Sequence, residues 1–199
     1  GGDVTEGSYD DAMRDCISRM ASVHMVTSQS ALARLCSLGH RNVHLVGNPG
    51  IDYIRHADWR KERPIAEPYV VASYQAETLL SDHDLGGEMA RWWFPLMEST
   101  TRKVFLRPNA DRGSKEINYL LDTVQPPDIA HDFLPHAEFL NLIAHCDELI
   151  GNSSSLLYEA PELGVKTRMI GKRQKGRALP FGDGKASERI RDILKYTVL

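Results

Sequence analysis

Apolar residues along the chain keep two alternating rhythms. Short β-branched and aromatic runs at residues 23–27, 42–46, 69–73, 103–107, 129–133, 148–150 and 167–170 each predict a strand. Between them the spacing lengthens to three and four residues. Residues 10–20 place Ala12, Met13, Cys16, Ile17 and Met20 on one helical face, and residues 29–38 align Ala31, Leu32, Leu35 and Cys36. Pro135, with its fixed φ, opens a helix through Cys146, and a last helix over 185–197 carries a stripe of Ile190, Ile193, Leu194 and Val198. This alternation predicts repeated βαβ units around a mainly parallel sheet, an α/β fold.

The rhythm breaks between residues 47 and 68, where Pro49, Gly50, Pro64 and Pro68 flank a charged stretch. A domain boundary is expected there. Residues 68–199 then make a complete doubly wound domain, whereas the strands before the break are too few to close a sheet. Residues 1–55 are expected to be the tail of an N-terminal Rossmann-like domain, and a chain that opens on Gly1 is expected to be cut from something longer.

Composition narrows the class. Of the 199 residues, 42% are apolar and 26% charged, enough apolar surface for a core and against wholesale disorder. A net charge of −3 removes the generic electrostatic argument for nucleic acid or an anionic membrane as partner. Cys16, Cys36 and Cys146 are odd in number and widely spaced, so they are expected as buried small hydrophobes of a reducing, cytoplasmic setting. No apolar run approaches a bilayer-spanning length.

In an open parallel sheet, ligands bind beyond the carboxyl ends of the strands, and anions favour exposed N–H groups. Gly151-Asn152-Ser153-Ser154-Ser155 follows the strand ending at Ile150 and precedes a helix expected to carry Leu156 and Leu157. A plain helix cap is the simpler reading; a cradle for a diphosphate is the functional one. Glu159, one turn into that helix, is placed either as a solvated charge or as an acceptor for a ribose diol. Gly171-Lys172-Arg173-Gln174-Lys175-Gly176-Arg177 sets four cations in a glycine-bounded loop, suited to phosphate or simply to solvent. The aromatic run Trp92-Trp93-Phe94 reads as packing, and His24, His44, His131 and His145 as structural, without metal-ligand spacing.

Several short runs, in order along nearly the whole chain, resemble the hydrolysing UDP-N-acetylglucosamine 2-epimerases. They are Gly1-Gly2-Asp3-Val4-Thr5-Glu6-Gly7 with Asp10, Asp11 and Arg14, then Gly47-Asn48-Pro49-Gly50-Ile51-Asp52, Arg107-Pro108-Asn109, and Ile150-Gly151-Asn152-Ser153-Ser154. The series closes with Arg173-Gln174-Lys175-Gly176-Arg177 and Gly182-Asp183-Gly184-Lys185-Ala186-Ser187. The resemblance implies a GT-B fold, UDP held mainly by the C-terminal domain, and a UDP-sugar such as UDP-N-acetylglucosamine as partner, with no cofactor or metal. It also implies removal of the sugar C2 proton, loss of UDP, and addition of water to the glycal to give N-acetylmannosamine.

Carried over by position, Ser153 and Ser154 hold diphosphate, Glu159 the ribose, Arg173 and Arg177 the phosphate charge, while Arg14 and Asn109 join the UDP site and His136 stacks on uracil. Asp3, Asp10, Asp11 and Gln75 fall at catalytic positions. The chain also departs from the family. Asp3 replaces a glutamate, Gln75 replaces a strand-end histidine and carries no titratable proton, Asp15 replaces a histidine after Arg14, and the stretch before Gly182 is shortened. A UDP-sugar glycosyltransferase or a noncatalytic UDP-sugar-binding module on the same scaffold are the alternatives, with a homodimer or a second chain completing the first domain.

Overall fold

The computed structural model describes residue 2, residues 10–77, residue 80 and residues 82–196. The chain divides into two compact units, Gly1–Asp58 with Lys175–Leu199, and Trp59–Gln174.

The first unit opens with α1 (Asp10–Met20), β1 (His24–Val26), α2 (Gln29–Ser37), β2 (Val43–Leu45) and α3 (Pro49–His56). β1 and β2 pair in parallel, with His24 opposite Val43. The crossover helix α2 starts where the Ser28 hydroxyl accepts the Ala31 N–H at 3.1 Å, one of the donors a helix start leaves unpaired. Val26, Ala31 and Leu35 form its small core. α3 falls inside the stretch expected to be irregular. Pro49 and Gly50 mark the break in the pattern, yet Asn48 caps the helix by accepting the Gly50 N–H at 2.9 Å, and Pro49 occupies the first turn, where its missing donor costs nothing.

The apolar face of α1 is solvent-exposed, up to 79% at Met20. Helical spacing establishes that such a face exists but not what covers it. The expectation of buried cysteines is likewise corrected: Cys16 and Cys36 are exposed on the outer faces of α1 and α2, and only Cys146 is partly buried, its thiol pushed up to about 11 chiefly by burial.

The second unit contains β3 (Tyr69–Ser73), α4 (Asp82–Glu98), β4 (Arg102–Leu106), α5 (Ser114–Leu121), β5 (Ile129–His131), α6 (His136–Ala144) and β6 (Glu148–Gly151). A 3-10 turn (Ser154–Leu156), α7 (Glu159–Glu162) and β7 (Thr167–Met169) complete it. All five strands are parallel, in the order β5-β4-β3-β6-β7. This is the doubly wound sheet the alternating rhythm predicts. Trp92 and Trp93 pack into the core over β3 and β4, with ring centroids 5.0 Å from Tyr74 and 5.3 Å from Phe105 respectively. Phe94, on the opposite side of α4, is 63% exposed and stands outside that packing.

The chain then returns to the first unit as α8 (Ala186–Tyr196). The expected grouping of 68–199 differs from this division for a visible reason. Phe181 donates its N–H to the Thr27 carbonyl at 2.6 Å and accepts that of Asn48 at 2.9 Å. Asp52, on α3, accepts the N–H groups of Ala186 at 3.1 Å and Ser187 at 2.6 Å, so it caps α8 from a distant point in the sequence. Arg189 adds a bond to the Val46 carbonyl at 3.1 Å. No helix among the described residues is long and apolar enough to cross a membrane.

Burial raises the Asp52 pKa, but hydrogen bonds from Ser187 and Ala186 and the nearby His56 outweigh it and leave the carboxyl below its ordinary value. A lowered pKa means that this cap stabilises fully above the ordinary carboxylate range and fades as the pH falls through the lowered value. Asp52→Ala is expected to cost about 1 kcal/mol at neutral pH. The difference from wild type in urea unfolding should shrink as the pH falls below the ordinary carboxylate range; a difference that stays constant with pH would contradict the cap.

Candidate functional site at the carboxyl ends of the sheet

β3 and β6 are neighbours in space, and the chain leaves them towards opposite sides of the sheet, one through β4 to β5 and the other to β7. Peptide groups just beyond such adjacent strand ends lose their ladder partners, and a crevice opens there. Asn152 closes the ladder. Its Oδ1 accepts the Gln75 N–H at 2.6 Å and its Nδ2 donates to the Gln75 carbonyl at 2.8 Å, a reciprocal buried pair in which Asn152 is 0% exposed. Gly151 precedes it with φ 145°, and a Cβ there would collide with the Ser73 carbonyl oxygen, so only glycine lets the two strand ends lie this close.

The clamp organises the turn that follows. Ser153 adopts extended backbone, its hydroxyl accepting from the Ser155 hydroxyl at 2.9 Å, and the 3-10 turn begins. No hydrogen bond engages the N–H groups of Ser153 and Ser154 among the described residues. The helix expected to carry Leu156 and Leu157, with Glu159 a turn into it, is broken: Leu157 and Tyr158 separate the 3-10 turn from α7, and Glu159 is the first residue of α7. Pro161 explains the break, since it has no N–H to bond the Leu157 carbonyl of a continuous helix. Glu159 Oε2 is shielded from solvent and has no hydrogen-bond partner among the described residues. A buried acceptor left this way costs stability until a donor arrives.

Other expected site residues belong to the same unit. Gln75 is buried, and its Oε1 accepts the Asn109 N–H at 2.8 Å, which ties the connection after β4 to that after β3. Arg173 lies in a turn after β7 held by Glu77, whose Oε1 accepts the N–H groups of Lys172 at 2.7 Å and Arg173 at 3.3 Å. Gln174 donates to the Asn152 carbonyl at 2.8 Å. His136 is the exposed first residue of α6, its ring 6.4 Å from that of Phe139, and α6 packs on α7. Arg107 is anchored by Asp122 at 2.7 Å and Asp132 at 2.8 Å, a structural assignment.

The remaining expected residues belong to the first unit. Arg14 pairs with Asp11 at 2.7 Å on α1, and Arg177 lies in the returning segment that starts at Lys175. Asp3 lies outside the described residues, as does the side chain of Asp10. Sequence reasoning gave no role to Asn152, Glu77 and Gln174. The available signal was polar side chains directly after strands in a region that must be buried, where each needs a partner.

The profile of the UDP-N-acetylglucosamine 2-epimerase family matches residues 1–179. The chain belongs to that family. A UDP-N-acetylglucosamine 2-epimerase of Neisseria meningitidis serogroup B is 28% identical over 187 positions, covering 89% of this chain and 49% of its own length. The hydrolysing UDP-N,N'-diacetylbacillosamine 2-epimerase of Legionella pneumophila is 23% identical, covering 98% and 63%. The Methanocaldococcus jannaschii UDP-GlcNAc 2-epimerase, crystallised with UDP-GlcNAc and UDP, matches with a TM-score of 0.70 at 18% identity, over 92% of this chain and 64% of that one. The chain thus spans about half to two-thirds of the length of these family members, and its α/β, GT-B-like fold is theirs.

Replacing Asn152 by Leu would leave the Gln75 N–H and carbonyl buried without partners. The expected loss is about 1–3 kcal/mol of stability in urea unfolding; a loss within experimental error would mean that the clamp is dispensable.

Proposed function

We propose that this chain carries the UDP-binding part of an enzyme resembling the hydrolysing UDP-N-acetylglucosamine 2-epimerases, converting UDP-N-acetylglucosamine and water to N-acetylmannosamine and UDP. The observation that carries the reading is the strand-end turn at Gly151–Ser155, where two N–H groups, and a Glu159 oxygen on α7 just after it, have no partner among the described residues, in a chain that belongs to this family. N–H groups at the mouth of a parallel sheet suit a diphosphate, and a shielded carboxylate oxygen suits a ribose hydroxyl.

In this reading Ser153 and Ser154 receive the diphosphate and Glu159 the ribose. His136 stacks on uracil, and Asn109, Arg14, Arg173 and Arg177 complete the UDP contacts. The carboxylates Asp3, Asp10 and Asp11 are the candidates for taking the C2 proton. A weakly acidic C–H needs a positioned base, and the departing diphosphate needs donors and cations where its charge develops. Water then adds to the glycal. A homodimer, or a second chain completing the first unit, belongs to the same proposal, and the uncovered face of α1 supports it.

A second reading, a UDP-sugar-binding module without turnover, is favoured by Gln75. Its amide oxygen is engaged by Asn109, and an amide neither takes nor gives a proton near neutral pH.

Incubation with UDP-N-acetylglucosamine, followed by NMR of the products, separates the two. UDP with N-acetylmannosamine is expected for the enzyme; UDP binding without either product would replace it by the module. Glu159→Ala should weaken UDP binding by about 1–3 kcal/mol in calorimetry, and unchanged affinity would remove that residue from the site.

A further inference from the structure

We propose that Glu77 is a positioning residue that holds the cationic turn after β7 in place for the phosphates of the nucleotide, an inference that rests on the UDP-binding reading. A carboxylate only 5% exposed is costly to bury unless its charge is met. Here Oε1 takes two backbone donors, the N–H groups of Lys172 at 2.7 Å and Arg173 at 3.3 Å. These are the peptide groups that a free glycine-bounded turn would offer to an anion. Glu77 already occupies these two N–H groups, so in this reading the turn meets a phosphate through its cationic side chains and not through these peptide groups.

The attachment is specific to this turn. Gly171 has φ 67°, and a Cβ on it would run into Glu77 Oε1, so the glycine is what lets the turn close on the carboxylate. The other end is fixed by the Gln174 bond to the Asn152 carbonyl. One tether thus comes from the segment after β3 and the other from the end of β6, the two strands whose ends frame the crevice. Between them lie Lys172 and Arg173, like charges whose repulsion would otherwise spread a free turn. Glu77 offsets that repulsion and removes the entropy cost of ordering the turn when a diphosphate arrives.

The test compares wild type with Glu77→Ala, Glu77→Gln and Gly171→Ala in two measurements: hydrogen exchange across residues 170–175, and affinity for UDP and for UMP. Glu77→Ala is expected to lose protection of the turn and to reduce the preference for UDP over UMP by about tenfold. Glu77→Gln keeps an acceptor oxygen and should restore most of both, while Gly171→Ala should resemble Glu77→Ala. If Glu77→Ala does not fold, the Gln and Gly171 variants decide. Equal losses for UDP and UMP, full turn protection in Glu77→Ala, or a Gln variant no better than Ala would overturn the inference while leaving UDP binding intact. Absence of UDP binding to the wild-type protein would instead remove the underlying reading, and this inference with it.

Discussion

The reciprocal amide pair between Asn152 and the backbone of Gln75 is the constraint on which the site depends. At the centre of a doubly wound sheet the chain leaves adjacent strands towards opposite sides, and the first peptide groups past the strand ends have no ladder to join. A single asparagine side chain extends the ladder by one step. The cost of leaving a buried N–H and carbonyl unpaired makes that step strongly specified. Gly151 is the geometric condition for it, since any side chain there would force the strands apart.

Much of the crevice inherits its shape from this pair. The backbone that leaves Asn152 runs into the Ser153 turn, and Gln174 returns to the Asn152 carbonyl, so the connections after β6 and β7 share one anchor. Gln75 passes the constraint to the connection after β4 through Asn109, and Glu77 passes it to Lys172 and Arg173. These buried polar groups satisfy one another, while the Ser153 and Ser154 N–H groups and one Glu159 oxygen have no partner among the described residues. In the proposed reading the serine turn and Glu159 belong to the second unit, whereas the candidate acids belong to the first, as do Arg14 and Arg177.

Among the described residues, periodicity located the seven strands to within about two residues at each end, and β3, buried at every position, is the continuous run that a parallel strand covered on both faces demands. The packing role of Trp92 and Trp93 was readable for the same reason. What escaped the sequence was decided by tertiary partners. Pro49 and Gly50 mark a break in the pattern until Asn48 caps them into a helix. The run after Ser155 reads as one helix until Pro161 breaks it. The return of α8 to the first unit depends on Asp52, a cap more than a hundred residues distant that no local signal announces. The site turn itself was legible as a strand-end motif; the carboxylate and amides that hold it were not, because their meaning lies in which loops they join.

Amide chemical-shift mapping with UDP on isotopically labelled protein tests the central claim most directly. The largest shifts should fall on Gly151 through Ser155, on Glu159 and on the turn at Lys172 and Arg173. A saturable set of shifts confined to another surface, or no shifts in well-folded protein, would contradict a nucleotide site at the carboxyl ends of β3 and β6.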